Sequence, residues 1–165
     1  MKTTVSVAFQ KLLLTSLLLL LYTFNYAVAE NWTAFWDEQR YKRGFKDENG
    51  KVKIPPTFMG MTQATQFKNI IAVMEEKNDQ FDSYYLLKSG ERVENVNIYT
   101  IDHSFDCESD NKIRFRDKNT ANMGYLNGQG KIAIPAIYNT GQPFVNGLAS
   151  VKKGATLECI NNGKP

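Results

Sequence analysis

One stretch of the chain gathers most of the side chains with reactive potential: Asp102-His103-Ser104-Phe105-Asp106-Cys107-Glu108-Ser109-Asp110. A thiol nucleophile at Cys107 needs a base within hydrogen-bond reach and a third group to orient that base. His103 is the only histidine, so any imidazole chemistry has to use it. No family-specific nucleophile signature surrounds Cys107, and an exported thiol tends to oxidise, so catalysis is not the expected use. Asp106, Glu108 and Asp110 alternate, and with His103 they form a candidate cation site. The run lacks the glycine and the distant glutamate of a calcium loop, and one His with two Cys is too few for structural zinc. The default is a solvated acidic loop, with no catalytic residue, cofactor or metal. A third use of Cys107 is a disulfide to Cys159, which would tie the loop to the C-terminal tail. Arg114 and Arg116, two apart just beyond the loop, would flank an acidic partner, face solvent or pair with the acidic loop.

Where such a loop works depends on where the chain is sent. Lys2 and Lys11 precede an apolar run from Leu12 to Leu21 that continues into Tyr22-Thr23-Phe24, and Ala27-Val28-Ala29 follows. A cationic start, a short apolar centre and an A-x-A exit make a secretory signal over residues 1–29. The run is shorter than the ~20 residues of a spanning helix. The expected mature chain is exported, to the periplasm or the outside, with no stable membrane insertion after cleavage. Beyond residue 29 the chain holds 18 basic residues against 17 acidic, a net of +1. No basic stripe is left for nucleic acid.

The elements that hold the loop come in a repeat. Gly44-Phe45-Lys46-Asp47-Glu48-Asn49-Gly50-Lys51, Tyr84 through Glu91, and Gly124 through Lys131 superimpose on shifts of forty residues. Phe45, Tyr85 and Tyr125 share the spacing, as do Gly50, Gly90 and Gly130, and Phe58, Ile98 and Tyr138. Each copy reads as an aromatic strand, a tight turn ending in a left-handed Gly, and a second strand. Val52 and Ile54 alternate with Lys53, and Ile132 and Ile134 with Ala133, the period of a strand with one buried face. Pro55-Pro56 and Pro135 then stop pairing. A third strand is expected to close each unit: Phe67–Met74, Ile113–Arg116 and Phe144–Val151. Such units are too small to stand alone and must stack.

These residues resemble the WG repeat, found mostly in bacterial proteins. The patterns "GF.D.NGKV.IPP.F…F.N.IAV" and "GY.N.QGKI.IPA.Y…F.NGLASV" carry the resemblance across residues 41–153. Arg43 and Met123 stand where the family has its tryptophan, and the middle copy has neither Trp nor Gly there. The resemblance implies short antiparallel β modules and an interaction role without shared catalytic residues.

The expected fold is therefore mainly β: degenerate repeats of antiparallel hairpins in three-stranded units (41–76, 81–117, 121–153), stacked in one domain behind an N-terminal signal helix. Residues 30–40 read as an aromatic cap. Trp32, Phe35 and Trp36 fall at helical spacing with Asn31 before them, and Trp32 and Trp36 are candidates for an interaction surface. Residues 154–165 read as a tail or a shortened further repeat. The leading functional expectation is a non-catalytic exported module that binds another protein. The alternative is a binder of a small molecule, glycan or peptidoglycan, suggested by eight Tyr, ten Phe and two Trp.

Overall fold

The computed structural model describes residues 30–154; the expected signal helix, Cys159 and the tail from residue 155 lie outside the described residues. Among the described residues the chain forms strands alone. In order they are β1 (Trp32–Asp37), β2 (Lys42–Lys46), β3 (Val52–Phe58), β4 (Gln66–Phe67), β5 (Ile70–Lys77), β6 (Gln80–Leu87), β7 (Arg92–Val93) and β8 (Val96–Ile98). Then come β9 (Thr100–Ile101), β10 (Ser104–Phe105), β11 (Lys112–Asp117), β12 (Met123–Asn127), β13 (Ile132–Tyr138), β14 (Thr140–Gly141) and β15 (Val151–Lys152). A seven-stranded antiparallel sheet runs β4-β1-β2-β3-β5-β6-β7, and a four-stranded one runs β13-β12-β11-β8. Strands β9 and β10 pair with each other, as do β14 and β15.

The sequence lattice reappears in the register. Phe45 lies opposite Ile54 and Arg43 opposite Phe58; eighty residues on, Tyr125 lies opposite Ile134 and Met123 opposite Tyr138. Between those pairs β3 and β13 advance four residues while the facing strand advances two. The extra residues include Pro55-Pro56 and Pro135-Ala136. Proline has no amide hydrogen for a ladder, so the bulge forms where pairing is already lost. The turn glycines Gly50, Gly90 and Gly130 have φ of 80, 91 and 72°. Their amides donate to the carbonyls of Asp47, Leu87 and Asn127 at 3.0, 2.8 and 2.9 Å. Asp47 and Asn127 brace the turns further, each Oδ1 accepting two backbone amides.

Two expectations are corrected here. Residues 32–37 are a strand, not a helical turn: Ala34 pairs with Phe45 and Phe35 with Gly44. That arrangement recurs eighty residues later, with Arg114 opposite Tyr125 and Phe115 opposite Gly124. Both strands leave through a short loop whose amides are collected by an aspartate, Asp37 for Gln39 and Arg40, Asp117 for Asn119 and Thr120. The third strands β5 and β11, moreover, pair with the next copy as well as with their own. β5 runs beside β6 from Ile70–Leu87 to Lys77–Gln80, while its pairing to β3 is at Phe58–Glu75. Each three-stranded meander (β1-β2-β3, β5-β6-β7, β11-β12-β13) therefore straddles a repeat boundary. In the middle copy β7 stops at Val93, Asn95 takes φ 63°, and β8 crosses to the second sheet beside β11.

Three cores result, and each holds one of the lattice aromatics. Phe45, Tyr85 and Tyr125 are at most 1% exposed. Phe45 packs with Phe58, Phe67, Ile71, Val73 and Leu86. Tyr85 packs with Ile70, Ala72, Phe105, Ile113, Phe115 and Leu126 between the two sheets. Tyr125 packs with Tyr99 and Met123, under Phe144 and Tyr138.

Candidate functional site

The segment that looked most reactive is built into the scaffold. Asp106 and Arg114 are both buried, with side chains 5% and 2% exposed. Arg114 Nε donates to Asp106 Oδ2 at 2.8 Å, Nη2 donates to Oδ1 at 2.7 Å, and the Arg114 amide also donates to Oδ2 at 3.0 Å. Nη1 reaches the Gly141 carbonyl at 2.6 Å, and the guanidinium lies 4.5 Å from the centre of the Tyr99 ring. Burial works to lower the guanidinium's pKa, but the contacts with Asp106 hold it above the ordinary arginine value. A planar fork matched to a carboxylate is the arrangement that keeps a buried charge satisfied. Of the uses expected of Arg114, pairing with the acidic loop is the one realised, and its burial leaves it no interaction surface. Its alternation with Arg116 was real, but the covering residues come from distant loops.

The other loop acids are also engaged. Glu108 Oε2 accepts the amides of Asn69 and Ile70 at 2.9 and 3.1 Å, and Oε1 accepts Asn69 Nδ2 at 2.7 Å. Asp110 Oδ2 accepts the Gly147 amide at 2.8 Å. The loop is therefore a seam between copies and not a freely solvated acidic stretch. Among the described residues no group of His, Cys, Asp and Glu is disposed to hold a metal. His103 sits exposed at a hairpin tip, where it and Asp102 have φ of 62 and 44°. Cys107 is exposed and unpaired among the described residues. Desolvation first and the Asp106 carboxylate second push its thiol pKa up, away from a thiolate nucleophile.

Tyr85 joins this seam to the core. Its hydroxyl donates to the Arg114 carbonyl at 2.6 Å and accepts the Tyr99 amide at 2.9 Å. Sequence reasoning gave the ring a core place but missed the hydroxyl's work, because neither partner is near in the chain. Burial above all holds the Tyr85 proton, raising its pKa far beyond the ordinary range, and burial with Glu75 pushes Tyr84 up to about 12. In the unfolded chain both tyrosines ionise near the ordinary value of about 10. Their stabilisation is therefore complete below that pH and is lost as pH rises towards the folded values. Tyr85→Phe should cost about 1–3 kcal/mol at neutral pH by orphaning two buried backbone groups. It should also flatten the alkaline decline; urea midpoints across the alkaline range check both. An unchanged slope would remove Tyr85 as its source.

Trp36 and Arg116, the remaining surface candidates, occupy the same seat in two copies. Trp36 pairs with Arg43 on β2 and Arg116 with Met123 on β12. Trp36 is 42% exposed. Arg116 lies 4.9 Å from the Tyr99 ring centre and donates to the carbonyls of Ala121 at 2.8 Å and Asn139 at 3.4 Å. Trp32 belongs with the first core, edge-on to Phe67 at 5.5 Å. The ammonium groups of Lys53 and Lys88 stand 5.3 and 4.7 Å from its ring centre.

The last copy, with β12, its bulged partner β13 and the pair β14–β15, coincides with a family match. Residues 123–156 fit the model described as WG containing repeat. Those residues form a WG repeat. Comparison with the curated proteins and with the solved structures gives no match. In this WG repeat Met123 takes the place of the tryptophan and is fully buried in the third core. The glycine after it, Gly124, lies beneath the Phe115 ring, and Gly44 lies beneath Phe35 in the same way. No helix among the described residues is long and apolar enough to cross a membrane.

Proposed function

We propose that this WG-repeat chain is an exported, non-catalytic interaction protein that offers its repeat surface or a sheet edge to another envelope or secreted protein. The observation that carries the reading is the fate of the acidic loop. Glu108 and Asp110 hold the middle copy to its two neighbours and Asp106 holds Arg114 within it, which leaves the segment richest in reactive side chains engaged in the scaffold. The surface meanwhile keeps apolar groups on an outer strand: β13 ends its sheet, with Ile132 61% and Ile137 44% exposed. An exposed strand edge is a ready template for a partner strand.

The protein recovered from the host's envelope or medium should begin at Glu30, and an N-terminus still at Met1 would remove the export step. Used as bait against envelope extract, it should retain a protein partner in a saturable manner. Retention of none over the accessible concentration range would count against the interaction reading. A glycan, peptidoglycan or small-molecule ligand is the second reading, favoured by the exposed Trp36. Titration with cell-wall fragments would quench or shift Trp fluorescence in that case, and an unmoved spectrum would discard it.

A further inference from the structure

The first and last copies carry related clefts with different charge, balanced in the first and cationic in the last. In the first it is lined by Arg40 and Lys42 at the end of the β1–β2 loop, by Pro56 and Thr57, and by Glu75 and Glu76 on β5. In the last it is lined by Arg116, Thr120 and Asn122 around the β11–β12 loop, and by Asn139, Thr140 and Lys152. Arg40 and Lys42 stand eighty residues before Thr120 and Asn122. The first cleft is filled from within: Lys42 Nζ donates to Glu76 Oε2 at 3.3 Å. In the last copy the corresponding strand brings Lys152, followed by Lys153, where β5 brings its two glutamates. Lys152 is tied in place through its backbone, its carbonyl accepting the Asn139 amide at 2.8 Å. Arg116 reaches the Asn139 carbonyl at 3.4 Å, and both cations line the one cleft.

Among the described residues no carboxylate lines this second cleft. The nearest acid in sequence, Asp117, has an oxygen turned into its own loop, where Oδ1 accepts the amides of Asn119 and Thr120 and the Thr120 hydroxyl. The last copy thus keeps the shape in which the first seats a carboxylate, with two cations and no acid of its own.

We propose that the cleft between Arg116 and Lys152 binds a carboxylate side chain of an acidic peptide segment. This rests on the interaction reading and names the chemistry of the partner. Arg116, braced on the Tyr99 ring and two carbonyls, is the ordered half of the site; Lys152, exposed on a short edge strand, is the adaptable half.

The test titrates the full isotope-labelled chain with a short end-capped oligoglutamate peptide, using the oligoglutamine of the same length as the uncharged control, and follows the NMR spectrum. Saturable shifts should appear at Asn122, Asn139, Thr140 and Arg116 Nε with the glutamate peptide alone, weakening as salt is raised. Lys152→Gln and Arg116→Gln, each removing one half-exposed ion contact, should together weaken binding about fivefold. Lys152→Gln disturbs no packed side chain, so it keeps the test open if the Arg116 variant folds poorly. Glu76→Gln should open a second site of the same kind at Lys42. Shifts spread evenly over exposed lysines, or undiminished binding by both variants, would overturn the proposal. Retention of a protein partner by Lys152→Gln at undiminished strength would reject the cleft and leave the interaction reading standing. Peptide binding at the cleft with no protein partner retained would do the reverse.

Discussion

Asp106→Asn should lower the unfolding free energy by about 3–5 kcal/mol, the usual cost of removing one member of a buried ion pair. The variant keeps the shape of the side chain and removes the charge. Arg114 would then stand nearly fully buried with its main counter-charge gone, keeping the Gly141 carbonyl and the Tyr99 ring as company. Asp106 also accepts the Arg114 backbone amide, so the seam itself loosens. The double variant Asp106→Leu/Arg114→Met should recover much of the loss, because two apolar side chains leave no orphan charge. Chemical denaturation of both variants settles the matter. A loss below about 1 kcal/mol for Asp106→Asn would mean that water reaches the guanidinium, since that is the range of exposed pairs.

Gly124→Ala should be the second severe change, at about 3 kcal/mol. An added Cβ would lie 2.6 Å from the Ile134 carbonyl oxygen, 2.8 Å from the Ala136 amide nitrogen and 2.8 Å from Phe115 Cε1. Two of those three atoms are backbone, pinned by the β13 bulge, and have no rotamer into which to retreat. Gly44→Ala meets the Ile54 oxygen at 2.7 Å and Phe35 at 2.8 Å, so it should behave alike. Gly50→Ala is the control. It has φ +80° but open space around the new methyl, so it should cost only about 1–2 kcal/mol of backbone strain. Equal losses at Gly50 and Gly124 would show that the bulge yields to the methyl.

That comparison also marks what the sequence makes legible. A turn glycine announces itself through its neighbours: Asp47 or Asn127 three residues before and a strand on either side. The glycine under a phenylalanine ring is legible only when Phe35 and Phe115 are known to lie across from it, and those partners are recognised only once β1 is read as a strand. Its spacing misleads because β1 uses both faces. Trp32 and Ala34 reach the first core from one side while Phe35 covers Gly44 on the other, so the alternation of period two is blurred. The lattice of forty finds the three central rings because the strand and tight turn that place each ring are local in sequence. For Arg114 the pairing with the acidic loop is legible but the burial is not: Tyr99, Asp106 and Gly141, which enclose it, come from three separate segments, and no local pattern predicts their convergence.

The straddling of repeat boundaries by each meander has a consequence for how such arrays change length. The strand that begins one copy is always flanked by the strand that ended the copy before it. A tandem duplication of about forty codons, wherever its ends fall, would therefore supply both halves of every new junction at once, as nearest-neighbour stacking in repeat proteins requires. Growth by whole periods leaves no strand without a mate, whereas an insertion of half a period would leave one unmatched, and the chain's heredity is in this sense quantised by its hydrogen bonding.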